Sequence, residues 1–392
     1  MRVFPEALRL SYEGLAVDVA SADPALTAWL AEFLSPAFEV GVGDRRADHR
    51  IEIVADPAEH DRLHVGLETA QLGCLEGFTF DGRFSLHRGW VDAEGRLWAH
   101  DERYDAFYGV WGTAASRVRL VLRGPGEDAR IATLRTVREL ATTAQLRAGR
   151  LPLHAAAFLH RSRAMLVCGP KRAGKTTLLV HALRGGAEFL SNDRVLIAPG
   201  QEPIARAMPT IVMLRDGTLR HFAGLTAAFE DAAFDRARTL DECAPGVPRP
   251  APRASQDFDR PGISPAQLCR LLGVPMRGAA PVGGILLPVV DPRVRGTVLE
   301  PLSSARAARA LADNLLAGSR PTRASRVFAA GPRLEVDPQT EAKRCRLLAA
   351  RVPAWTCRLG PDAYERDLRE TLRDLPAMPP TDPGPPRGSA AP

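Results

Sequence analysis

The chain has 392 residues, an apolar fraction of 45% and a formal charge of +6. That length holds two modest domains, and with no run of about eighteen apolar residues no membrane partner is expected. Six cysteines (Cys74, Cys168, Cys243, Cys269, Cys345, Cys357) form no C-x-x-C pair, which argues against a structural zinc site and a disulfide framework. The N-terminus, MRVFPEALRLSYEG, lacks the apolar core of a signal peptide, so a cytoplasmic location is the expectation. Arginines interleaved with Asp and Glu, rather than gathered on one basic face, argue against a nucleic-acid partner.

Residues 1–125 read as a strand-rich N-terminal domain of unknown role. Leu8–Tyr12, Leu15–Val19, Phe38–Val42, His49–Val54, Gly77–Asp81, Arg83–His87, Gly89–Asp92 and Arg96–His100 are short runs, several alternating apolar with polar. Turn signals such as Asp81-Gly82 and Glu94-Gly95 separate them. Ala25–Leu34 has helical periodicity behind an Asp-Pro pair. His49, His60, His64, His87 and His100 are irregularly spaced and lack a paired carboxylate pattern, so they read as ordinary surface or strand histidines. Trp90, Trp98, Tyr104, Tyr108 and Trp111 read as core.

The second domain spans 126–376. Ser116–Arg123 predicts a strand, Gly124-Pro125-Gly126-Glu127 breaks it, and Asp128–Arg147 is one amphipathic helix leading in. Ile131, Leu134, Val137, Leu140 and Leu146 mark its apolar line. Leu153–Leu159 and Ala164–Cys168 are two strands joined by a hairpin at His160-Arg161-Ser162-Arg163, which points to a mixed sheet. Between that hairpin and a helix over Thr177–Arg184 stands Gly169-Pro170-Lys171-Arg172-Ala173-Gly174-Lys175-Thr176. It meets G-x-x-x-x-G-K-[ST] at every fixed position, with the strand before and the helix after that the motif requires.

Each residue type has a reason to be there. The glycines let the backbone curl until several N–H groups converge on one anion, and the new helix adds its positive end. Lys175 reaches β- and γ-phosphate oxygens, the Thr176 hydroxyl suits Mg²⁺, and Thr177 continues the cradle. The chain is therefore expected to bind a nucleoside triphosphate. After Gly185-Gly186, Glu188–Ser191 reads as a strand ending in Asn192-Asp193, where a magnesium-holding carboxylate is expected.

Further on, Ile204–Leu214 and a turn at Asp216-Gly217 predict two strands, and Gly224–Ala237 a helix. Cys243–Pro261 is a Pro-rich loop; Ser264 caps a helix to Leu272 with Pro265 at its first position. Val282–Val290, Gly296–Leu302 and Ala354–Leu359 predict strands, while Ser304–Leu316, Gln339–Arg351 and Tyr364–Leu372 predict helices. Residues 377–392 have the composition of a disordered tail.

His154 lies fifteen residues before Gly169, and Asn192 and Asp193 lie seventeen and eighteen after Lys175. With the hairpin, this order resembles the catalytic domain of HPr kinase/phosphorylase, a P-loop family with His, then G-x-S-G-x-G-K-S, then an Asp-Asp pair. The resemblance is firm over Leu153–Ile197 and looser to about Leu375, through the R-x-x-P-T segment Arg206–Thr210. It implies an α/β, P-loop domain of the HPr kinase and phosphoenolpyruvate carboxykinase type with a mixed sheet. It also implies ATP with Mg²⁺ as donor, a serine hydroxyl as acceptor and a homo-oligomer.

Carried over position by position, Gly169–Thr177 hold the phosphates and Thr176 and Asp193 hold Mg²⁺. Lys175, His154, Asp193 and Asn192 form the catalytic set. The chain departs from the family at Lys171-Arg172 in the loop, at Asn192 where the first aspartate stands, and at Ile204 where the family's Glu-x-Arg-Gly glutamate stands. An amide takes no proton from an acceptor at neutral pH. The leading expectation is a kinase for a serine or threonine of a protein or peptide. A nucleotide-binding regulatory protein without transfer, and a small-molecule kinase, stand as alternatives.

Overall fold

The described residues form two nine-stranded mixed sheets carrying helices, an α/β arrangement. The computed structural model describes residues 7–41, 46–69, 74–80, 83–102, 104–111, 116–222, 224–236, 238–243, 246, 262–316, 337–365 and 368–373. The rest of the Pro-rich stretch 243–261 and the tail 377–392 lie outside them. Among the described residues, no helix is long and apolar enough to cross a membrane.

The first sheet contains β1 (Leu8–Tyr12), β2 (Leu15–Ser21), β3 (Glu39–Gly41), β4 (His49–Ala55), β5 (Cys74–Phe80), β6 (Arg83–Val91), β7 (Leu97–Asp101), β8 (Ala106–Trp111) and β9 (Ser116–Leu122). Their order is β3-β1-β2-β4-β9-β8-β7-β6-β5, parallel at β2–β4 and β4–β9 and antiparallel elsewhere. Parallel neighbours need crossovers. The two here contain α1 (Pro24–Leu34) and α2 (Pro57–Thr69). Both helices start at an Asp-Pro step: Asp23 accepts from the Ala25 amide at 2.9 Å, and Asp56 from the Ala58 amide at 3.0 Å.

The sequence reading missed α2, and the reason is physical. His60 and Leu67 are its buried residues, too few to print an apolar period. It also missed β8, hidden within the aromatic cluster, and divided β6 into two strands.

α3 (Glu127–Arg147) is the long helix expected after the breaker. Its Ile131, Leu134, Val137 and Leu140 share one core with Leu10, Val17, Ile51 and Leu120 of the first sheet, joined by Leu196 of the second and by Met208, just past its strand Ile204–Ala207. The helix expected to lead into the second domain thus covers the N-terminal sheet.

The second sheet contains β10 (Leu151–His154), β11 (Ala156–His160), β12 (Arg163–Val167), β13 (Glu188–Ser191), β14 (Arg194–Ala198), β15 (Ile204–Ala207), β16 (Ala279–Val290), β17 (Thr297–Leu302) and β18 (Ala354–Leu359). Its main path is β10-β14-β15-β16-β12-β11-β13, with β18 also on β16 and β17 on β18. β12 and β11 form the expected antiparallel hairpin, turning through Arg161 and Ser162 at φ 49° and 61°. On its other edge β12 pairs with β16 in parallel.

The strand expected over Leu153–Leu159 is two strands, divided at Ala155. The chain from Glu188 to Ala198 divides likewise at Asn192-Asp193, and the β14 part was not anticipated. β10 pairs with β14, and β11 with β13. Of Ile204–Leu214, Ile204–Ala207 is strand, and Asp216-Gly217 opens a short helix, α5 (Asp216–Leu219), instead of a strand turn.

α4 (Lys175–Arg184), α6 (Leu225–Phe234), α7 (Pro265–Leu272) and α10 (Leu368–Arg373) pack on one face, where Phe158, Val167, Leu178 and Leu286 meet. α8 (Ser304–Asp313) and α9 (Pro338–Arg351) cover the other, where Leu166, Ile285, Leu311 and Leu348 meet. Ser264 caps α7 as expected, through a capping box with Gln267.

The sheets also meet through polar contacts. Tyr12 donates to Ala207 O at 3.0 Å, and Arg206 pairs with Glu13 at 2.6 Å. Gly278 lies where a Cβ would come 2.5 Å from Pro36 O and 3.0 Å from Ala37 Cα. Both obstacles are backbone. Gly278→Ala should therefore destabilise the whole chain by about 1–3 kcal/mol, read from its denaturant unfolding midpoint.

Candidate active site

The motif loop leaves the C-terminal end of β12 and enters α4. Gly169 sits at φ 153°, Arg172 at 72° and Gly174 at 95°. Left-handed backbone is natural for the glycines and uncommon for arginine. A Cβ on Gly169 would come 3.1 Å from Ala173 Cβ, a crowded approach added to the strain of its positive φ. Gly174 is the N-cap of α4 and brings no side-chain cap, leaving first-turn N–H donors for another acceptor.

Lys175 is buried, and its Nζ donates to Gly169 O at 2.7 Å and Pro170 O at 3.2 Å. Its ammonium thus lies across the loop's own carbonyls, places that phosphate oxygens could take. Burial lowers its pKa, against the opposing charge of Asp193 and the influence of Cys168. Pro170, Lys171 and Arg172 are exposed at the tip, Ala173 and Thr176 are partly covered, and Thr177 is buried with its hydroxyl 2.8 Å from that of Thr218 on α5.

Asp193 stands at the bend between β13 and β14. Ser191 spans the bend, donating to Arg194 O at 2.7 Å. His154, the last residue of β10, pairs with Arg194 in register. That register brings His154 Nε2 to 2.9 Å from Asp193 Oδ1, with the two side chains 39% and 32% exposed. Burial would raise the Asp193 pKa, but the hydrogen bond and charge of His154, with Arg194 and Lys175 beyond, outweigh it. The carboxyl ends below its ordinary range.

Asn192 is placed differently. It is buried, its amide oxygen accepts from Thr210 at 3.0 Å, and its amide nitrogen donates to Ile211 O at 3.2 Å. It ties the bend to the end of the R-x-x-P-T segment. Arg206, the arginine of that segment, turns to Glu13 of the first sheet.

Sequence reasoning missed Asn314. It is buried at the C-cap of α8, where its amide oxygen accepts from Gly169 N at 3.0 Å and its amide nitrogen donates to Ala310 O at 2.8 Å. Its backbone oxygen accepts from His154 N at 2.7 Å. One residue therefore fixes both the first glycine of the loop and the strand end bearing His154. An Asn at a helix end is the one sequence signal it offers, and nothing local to it indicates the loop.

No family model matches the chain, and no curated protein matches it significantly.

Two outcomes follow from this geometry. Asn314→Ala leaves the buried Gly169 amide without its acceptor and should cost about 1–3 kcal/mol of stability in chemical denaturation. The lowered Asp193 pKa means that the unfolded chain binds its proton more readily. The resulting stabilisation is complete above the ordinary carboxyl value of about 3.9 and is lost as pH falls through the folded value. Asp193→Asn should accordingly flatten the acid limb of stability against pH.

Proposed function

We propose that the chain binds ATP with Mg²⁺ in the Gly169–Thr177 loop and transfers the γ-phosphoryl group to a serine or threonine hydroxyl of a protein or peptide. The observation that carries this reading is a complete phosphate-loop motif, with Lys175 across its mouth, tied through Asn314 to the His154–Asp193 pair. The residues present fit the group: a Cβ at Gly169 would crowd Ala173 across the loop, and the first turn of α4 has no side-chain cap. Mg²⁺-ATP supplies the transferable phosphoryl group and neutralises charge on its oxygens.

The chain's own residues would do the rest. Loop amides and the Lys175 ammonium hold phosphate oxygens, and Thr176 and Asp193 hold the cation. His154 fixes Asp193 Oδ1, which leaves Oδ2 for the cation or for an incoming hydroxyl. With its lowered pKa Asp193 is a weak base. That suits a loose phosphoryl-transfer transition state, in which positioning matters more than proton removal.

Asn192 favours a second reading, a nucleotide-binding regulator without transfer, since its amide is no base and its oxygen is engaged by Thr210. Phosphate transfer from ATP-Mg²⁺ to serine peptides, followed by mass spectrometry, decides between them. Lys175→Ala should weaken ATP binding about 100-fold, the loss of charge-assisted bonds worth about 2.7 kcal/mol. Asp193→Asn should keep ATP binding and lose about 10²–10³-fold in kcat. ATP binding with no transfer to any peptide or protein acceptor would leave the regulator reading standing.

A further inference from the structure

The first sheet holds a second group of ligand-type side chains, unrelated to the loop. α2 places His60 and His64 one turn apart on the same face. β7 contributes His100, and the turn into β8 returns Asp105, at φ 45°. Three imidazoles converge on one oxygen of that carboxylate. Asp105 Oδ1 lies 3.3 Å from His60 Nε2, 2.9 Å from His64 Nε2 and 3.1 Å from His100 Nε2. Ligand atoms of His60, His64 and Asp105 lie within 4.8 Å of one another.

All three rings rest on Phe107, with centroids 5.1, 4.9 and 4.4 Å from its own. His60 is fully buried and His100 is 5% exposed. A carboxylate oxygen has about two lone pairs, so three imidazole donors oversubscribe it. His60 Nε2 is also 2.8 Å from Asp105 O, while its buried Nδ1 has no hydrogen bond.

A tetrahedral site with bonds of about 2.0 Å has edges of about 3.3 Å. The spacings from Asp105 Oδ1 to the Nε2 atoms of His60 and His64 are close to that edge. We propose that His60, His64 and Asp105 bind one divalent transition-metal cation of the Zn²⁺ class, through two Nε2 atoms and Asp105 Oδ1, with His100 beside the carboxylate at the rim of the site. Imidazole-rich sets with one carboxylate suit such cations better than Mg²⁺ or Ca²⁺.

His60 and His64 come from α2 and Asp105 from the turn between β7 and β8, so the cation would pin that helix to that turn, with a water to complete a tetrahedron. An outer layer supports it. Arg123 reaches Asp61 Oδ1 at 2.8 Å and Asp105 Oδ2 at 3.8 Å, and Asp61 Oδ1 lies 3.9 Å from His60 Nδ1. With a cation on Nε2, the Nδ1–H would face that carboxylate.

The test uses the full chain, stripped with chelator and then given ZnCl₂ or CoCl₂. We expect one cation per chain by elemental analysis after desalting, a tetrahedral Co²⁺ visible spectrum and a Zn²⁺-dependent rise in Tm. His64→Ala and Asp105→Asn, at partly exposed positions, should lose all three responses, while Lys175→Ala keeps them. Failure of the folded wild-type chain to retain Zn²⁺ would overturn the proposal. So would a six-coordinate Co²⁺ spectrum, or uptake unchanged in folded His64→Ala; the wild-type spectrum decides even where a variant does not fold.

Discussion

The candidate active site depends on two strand pairs that bend at the same level. The consecutive strands β10 and β11 part at Ala155, and β13 and β14 part at Asn192-Asp193, so each run passes from one half of the second sheet to the other. Were these runs continuous, alternation would send His154 and Asp193 into flat sheet faces. The bend instead presents both at a corner. Ser191, Asn192 and Thr210 hold that corner with short-range hydrogen bonds.

Around the corner, charge and burial work against each other. Lys175 and Asp193 are both partly withdrawn from water, and each limits the cost of the other's burial. Such tension is common where groups must change partners, because a ligand's charge can replace an internal one. Asn314 adds rigidity without charge. It connects a strand end, a glycine amide and a helix end, three backbone pieces that share no sequence neighbourhood.

Much of this was legible in the sequence, and the exceptions share a cause. The loop, its flanking strand and helix, the hairpin and the α7 cap were readable because their signals are local: glycines, a motif, a Ser-Pro start. α2 was not, since it buries His60 and Leu67 where an amphipathic helix would show a stripe. Without that helix the four-residue interval between His60 and His64 carried no geometric meaning. Asp105 belongs to a turn, and turns conceal what they return the chain to. Asn314 and the Arg206–Glu13 pair are contacts over long stretches of chain, which periodicity cannot register.

The helix α3 has a further consequence. Its apolar line is spent on the N-terminal sheet, while Leu196 of the other sheet and Met208, just past its strand β15, enter the same core. A cut after residue 125 would strip the first sheet of one of its two covering helices in that core and leave the remainder carrying an oily stripe in water. The two halves are therefore not interchangeable cassettes. Recombination that traded one for an unrelated partner would have to carry the helix with the front half and repair the seam behind it.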